Sequence, residues 1–188
     1  MATGSVRRSA QLAHVRPDLK FTELRGNIHT RLKKVPHDGA LVMAVAALQI
    51  LELTDRIAEY LPVDPFVPSP GQGCVAVECR AGDQWVADLL AGVDDAASRG
   101  AVEAERAFLA ELGTGCSLPL GAYVEPHADG DQLFGFLALP EVNRVLIRRT
   151  ALPEGSARLN VAARLARQLH EELHEGLPKG LLKRTVSS

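Results

Sequence analysis

Aromatic side chains are scarce, 4% of the 188 residues, and the basic N-terminal stretch contains Phe21 as its sole aromatic ring. Rows of rings on which nucleic-acid bases could stack are therefore missing, and no nucleic-acid partner is expected. Long apolar runs are missing too. The longest, Ala40 to Leu48, falls well short of the roughly 20 residues a bilayer-crossing helix needs, and no apolar signal region follows Arg7 and Arg8. No membrane partner is expected, and the protein is placed in the cytoplasm. Cysteines number three, Cys74, Cys79 and Cys116, without a C-x-x-C pair, which argues against a disulfide framework and against a structural zinc site. No metal ligand set is assigned.

What is present is unevenly distributed. Net charge is only -2, yet residues 1–34 hold eight Lys or Arg against Asp18 and Glu23, a local charge of +6 set against -8 in the remainder. A small polyanion suits such a stretch. A second concentration lies at Leu112 to Gly121, L-G-T-G-C-S-L-P-L-G, where Cys116 sits among glycines that allow sharp turns and close ligand approach, with Pro119 stiffening the exit. A thiol in such a loop is presented and not packed.

Hydrophobic spacing and turn signals outline the fold. Ser5 to Val15 reads as a helix capped by Thr3 or Ser5, Lys20 to Leu24 as a strand, Ile28 to Val35 as a helix and Ala40 to Val45 as a strand, a unit implying a parallel sheet. Ala46 to Leu51 and Asp55 to Leu61 read as helical, and Pro62 to Pro70 as a connector. Cys74 to Cys79 reads as an apolar strand whose two cysteines face opposite sides and so cannot chelate one metal. Gln84 to Leu90 and Asp95 to Leu112 read as helices. Gly121 to Glu125, Gln132 to Leu139 and Arg144 to Ala151 read as three antiparallel strands, covered by a final helix from Ser156 to His174.

Arg7 and Arg8 fall in the first turn of a predicted helix, where the macrodipole disfavours cations by about 0.3 to 1 kcal/mol each. An anion held there by free backbone N–H groups, by the Thr3 and Ser5 hydroxyls and by both guanidinium groups removes the conflict. The pattern recurs at Arg25-Gly26-Asn27, an arginine before a tight turn into a helix carrying Arg31.

These residues lie within longer motifs. T-G-S-V-R-R-S-A-Q-L (Thr3 to Leu12), R-P-D-L (Arg16 to Leu19), L-R-G-N-I-H-T-R-L (Leu24 to Leu32), P-G-Q-G-C-V-A-V-E-C-R (Pro70 to Arg80), A-E-R-A-F-L (Ala104 to Leu109) and G-C-S-L-P-L-G (Gly115 to Gly121) run in order along the chain. Together they resemble the porphobilinogen deaminase (hydroxymethylbilane synthase) family over nearly all of this chain, corresponding to about the last two-thirds of a member.

The resemblance implies an α/β fold: a partial periplasmic-binding-protein-like α/β domain over residues 1–70, a hinge and return strand over 71–83, and a small α+β domain over 84–188 with a three-stranded antiparallel sheet covered by helices. It implies a dipyrromethane cofactor attached to Cys116 by a thioether, and head-to-tail condensation of four porphobilinogen units, with loss of ammonia, to hydroxymethylbilane. Thr3, Ser5, Arg7, Arg8, Arg25 and Arg31 match positions that contact pyrrole carboxylates, and Gln72 matches a position at the hinge beside the cofactor. The expected partners are porphobilinogen, the pyrrole-chain intermediates and a separate N-terminal polypeptide. The family's catalytic aspartate has no counterpart here, so no catalytic acid or base is assigned. Gly4, Ile50, Glu52 and Thr114 also depart from the family pattern. Two readings follow: the C-terminal portion of the transferase, or a split or remnant chain binding a tetrapyrrole-like polyanion without turnover. An RNA-binding or structural domain with a basic lip explains neither the Cys116 loop nor the G-Q-G segment.

Overall fold

The computed structural model describes residues 1–113 and 119–177. Its firmest part is a three-stranded antiparallel sheet in the order β1-β2-β3, built from β1 (Leu120–Glu125), β2 (Gln132–Leu139) and β3 (Arg144–Ala151). Each strand matches its expected span closely. The central strand is buried along nearly its whole length, and strand geometry sends alternate side chains to opposite faces. Leu133, Leu137 and Leu139 join one core with Phe108, Leu165 and Leu169, whereas Phe134, Phe136 and Ala138 join a second core with Val67.

Two helices cover the first face. α5 (Ala96–Glu111) starts at Asp95, whose carboxylate accepts the Ser98 N–H at 2.7 Å, and presents Ala104 and Phe108 to the sheet. α6 (Ala157–His174) presents Ala162, Leu165, Ala166, Leu169 and Leu173 at helical spacing. Its last carbonyls are closed from β3, where Arg144 donates to Leu173 O at 2.9 Å and to Glu175 O at 2.8 Å. The helices approach β2 closely at Gly135: a Cβ there would stand 2.8 Å from Phe108 Cε2 and 3.0 Å from Leu169 Cδ1.

The N-terminal part is built more lightly. α1 (Val6–Val15) follows Ser5, which caps it by accepting the Arg8 N–H. α2 (Ile28–Lys33) follows Asn27, which accepts the Thr30 N–H at 2.9 Å, and α3 (Val45–Ile50) comes next. The expected parallel arrangement is present, but only as isolated bridges from Ala2 to Thr22 and from Ala2 to Leu41. The strands expected over 20–24 and 40–45 are therefore single bridge residues. Ala2 lies between them, its N–H donating to Ala40 O at 2.8 Å and its carbonyl accepting the Val42 N–H at 3.1 Å.

Two other expectations are corrected. The helix expected over Asp55 to Leu61 reduces to one 3-10 turn, Thr54–Arg56, because its apolar residues find no face to cover. The strand expected over Cys74 to Cys79 forms no ladder among the described residues, and its residues are exposed. Apolar sequence supplied the propensity there, but no neighbouring strand supplies the hydrogen bonds. α4 (Gln84–Leu90) forms as expected, capped by Asp83 on the Val86 N–H.

The approach at Gly135 generates a prediction. Gly135→Ala should destabilise the protein by about 1 to 3 kcal/mol, because Phe108 and the α6 leucines must shift to admit a methyl group into a close-packed core. Chemical denaturation measures it, and an unchanged midpoint would contradict the packing described.

Candidate functional site

The connector joins the two parts through the carbonyl of Val67, a fully buried residue packed against Phe134 and Phe136. Arg7 Nη1 donates to it at 2.6 Å and Gln11 Nε2 at 2.9 Å. Arg7 and Gln11 are four apart on α1 and so share a helical face. Arg7 Nη2 also donates to Gln72 Oε1 at 3.1 Å. Beside this joint Ala122 N–H donates to Pro68 O, an approach that Gly121 permits because a Cβ there would meet Pro68 O at 2.7 Å.

A cleft of about 450 Å³ opens at the same place. Ser5, Arg7 and Arg8 from the start of α1 line it, with Ser69 from the connector, Gln72 from the turn after it and Pro119 from the entry to β1. Among the described residues no acidic one lines it. Arg7 is only 9% exposed and Arg8 is partly buried, and neither forms an ion pair among the described residues. Burial, then the neighbouring Arg8, pulls the Arg7 guanidinium down to about 10. Arg8 is lowered by burial and then by Arg31.

The sign of the Arg7 shift is informative. A cation whose folded value lies below its unfolded one burdens the fold at every pH below about 10, and relief comes only as pH rises through that value. At neutral pH the charge persists, buried against neutral oxygens. A bound anion would supply the missing counter-charge.

Ser5, Arg7, Arg8 and Gln72 are thus brought together as the motifs suggested. Thr3 lies just beneath, buried, with Oγ1 accepting the Ser5 N–H at 3.2 Å. Arg31 stands close enough to Arg8 to affect it, while its own Nε donates to Gly26 O at 2.7 Å. Arg25 does not line the cleft. Its side chain is 86% exposed and pairs with Glu23 at 2.6 Å, a surface pair of small energetic weight. Cys116 lies outside the described residues, although Pro119 and Leu120 on its C-terminal side line the cleft.

Two features were missed in the sequence. Arg7 also serves the fold, because its Nη1 donates to Val67 O in the connector and its Nη2 to Gln72 Oε1. Glu105, 5% exposed, accepts the Gly71 N–H at 2.6 Å and the Val124 N–H at 2.9 Å, tying the connector to α5 and β1. Its signal was an acid set within the apolar stripe of α5, between Ala101 and Phe108.

The fold and cleft define an α/β segment, carrying an arginine-lined cleft, clamped to a compact α+β unit. Residues 1–88 match the family model described as porphobilinogen deaminase, dipyromethane cofactor binding domain, and residues 100–175 match porphobilinogen deaminase, C-terminal domain. A porphobilinogen deaminase of Syntrophotalea carbinolica is 42% identical over 159 residues, covering 84% of this chain and 50% of that protein. One from Acidothermus cellulolyticus is 48% identical over 139 residues, 71% of this chain and 42% of that protein. One from Exiguobacterium sibiricum is 39% identical over 170 residues, 88% of this chain and 55% of that protein. The chain belongs to the porphobilinogen deaminase family, a family of transferases, and spans about half the length of these relatives. No helix among the described residues is long and apolar enough to cross a membrane.

The two buried arginines should separate by experiment. Arg8→Leu should weaken binding of inorganic sulfate by about 1.5 to 3 kcal/mol, the contribution of a charge-assisted hydrogen bond, with little change in sulfate-free stability. Arg7→Leu should lose affinity and stability together, since it also releases Val67 and Gln72. Thermal melts across a sulfate titration at constant ionic strength report both effects. An equal sulfate response in Arg8→Leu and wild type would leave the cleft without an anion site.

Proposed function

We propose that this chain forms one wall of a polycarboxylate-binding cleft in a hydroxymethylbilane synthase, and that Cys116 carries the dipyrromethane cofactor there. The observation that carries this reading is the cationic pair of buried Arg7 and partly buried Arg8, without an ion pair among the described residues, lining the cleft beside the Ser5 hydroxyl at the start of α1. A pyrrole bearing an acetate and a propionate supplies the counter-charge this wall lacks. The matched family description, which names the cofactor, supports the same assignment.

Each residue then has a task. Arg8 and Ser5 bind carboxylate directly, Arg7 adds charge at the wall, and Arg31 adds to the field from the last turn of α2. Thr3 sets the turn before Ser5. Arg25 reaches carboxylate only by leaving Glu23, so its contribution is the smallest of the arginines. When bound, the dipyrromethane supplies the pyrrole end onto which porphobilinogen units are condensed with loss of ammonia. The division into segments 1–70, 71–83 and 84–188 follows from the same reading: the first carries the cationic wall, the second the Gln72 turn, and the third Cys116.

The polypeptide that completes the cleft is an N-terminal one, as in a chain of the relatives' length. Apolar side chains left in solvent support this: Val75 is 83% exposed, Val77 62% and Trp85 72%, all in or just after the segment that forms no ladder. A cytoplasmic site of action fits reduced cysteines, Cys74 and Cys79 being free thiols.

Two measurements test the proposal. Once the cleft is completed with an N-terminal polypeptide and supplied with porphobilinogen, intact-mass analysis should show a dipyrromethane adduct that Cys116→Ser abolishes; an adduct surviving that substitution would place the attachment elsewhere. Residues 1–188 assayed alone should form no hydroxymethylbilane, because no acidic residue lines the described cleft to stabilise positive charge on pyrrole nitrogen. Turnover by that polypeptide alone would refute the need for a second wall.

A further inference from the structure

Glu105 is a buried carboxylate satisfied entirely by neutral donors, the Gly71 and Val124 N–H groups, with no ion pair among the described residues. A buried charge so placed contributes little stability, but its two oxygens fix geometry at two points. One point is β1, in the rigid sheet. The other is Gly71, whose φ of +70° is left-handed and opens the turn carrying Gln72. That turn is otherwise closed mainly on itself, Gln72 N–H donating to Ser69 O at 3.0 Å and Cys74 N–H to Gly71 O at 3.2 Å. Gln72 then accepts from Arg7 at the cleft wall.

We propose that Glu105 is a positioning residue of the cleft: it locks the Gly71 turn to β1 so that Gln72 holds the Arg7 guanidinium against the anion site. The inference rests on the reading of the cleft as an anion site and assigns a role to a residue that touches no ligand. The lock works from the opposite side of the connector. There Glu105 shares a second cavity of about 260 Å³ with Tyr123, Cys74 and Asp131, the last paired with Arg158 at 2.7 Å. Burial raises the Glu105 carboxyl above its usual range, opposed by the two N–H bonds.

Glu105→Gln keeps the shape and one acceptor but sets an NH₂ group against one of the two N–H donors. Inorganic sulfate titrated at fixed ionic strength should bind it about tenfold more weakly than wild type, equivalent to about 1.4 kcal/mol. The Gly71 amide should lose protection from hydrogen exchange while the amides of β2 keep theirs. In a Gln72→Ala background, Glu105→Gln should cost no further affinity, because both substitutions then interrupt one chain of contacts. A tenfold loss persisting in that background, unchanged affinity in the folded variant, or unchanged Gly71 protection would each overturn the proposal. Where Glu105→Gln fails to fold, Glu105→Asp, which keeps the carboxylate but shortens its reach, carries the same comparison. Failure of the wild-type chain to bind sulfate would overturn the anion reading, whereas exchange at Gly71 reads the lock without any ligand.

Discussion

The carbonyl of Val67, a residue with no solvent exposure, accepts two side-chain donors, the Arg7 guanidinium and the Gln11 amide. That shared acceptor joins α1 to the connector. The Val67 side chain lies in the core beneath Phe134 and Phe136, and Pro68 O takes the Ala122 N–H, so the connector in turn is fixed to the sheet. Breaking the acceptor's surroundings would release the N-terminal helix and, with it, the cationic wall. The small residue at Gly121 permits the approach, since a side chain there would collide with two connector carbonyls.

Burying Arg7 at this joint is costly in isolation. Two neutral acceptors satisfy part of a guanidinium's hydrogen bonding but none of its charge, and Arg8 and Arg31 add repulsion to the same region. Such an arrangement is expected where binding and not stability sets the residue types, because a wall already cationic and dry strengthens its attraction for a carboxylate. The acidic remainder of the chain does not cancel this field, since the described acids lie outside the cleft.

Much of this was legible in the sequence, though unequally. β1, β2, β3, α5 and α6 follow from local periodicity because each has its partners close along the chain, and a strand flanked by both neighbours realises its propensity. Residues 20–24, 40–45 and 74–79 carry similar apolar patterns but lack a described ladder, so propensity alone overstated them. The cationic lining of the cleft was readable from Arg7 and Arg8 in a helix first turn without acids. The structural duty of Arg7 was not, because its partners Val67 and Gln72 lie 60 and 65 residues away. Arg25 shows the converse: a correct local turn, at Gly26, beside a side chain that pairs with Glu23 at the surface.

The precision of the cationic wall therefore does not come from the segment that carries it. Residues 1–70 pair their extended segments only through single bridges at Ala2, a weak reference for placing a guanidinium to within hydrogen-bond distance of its partners. The α+β unit has a closed core on one face of its sheet and offers the other to the connector. Val67, Pro68 and Gly71 are all held by that unit, through packing, the Ala122 N–H and Glu105 respectively. Arg7 and Gln72 reach the cleft from positions defined by those three residues. The charge belongs to the N-terminal helix, but its position is set by the sheet whose first strand begins at Leu120.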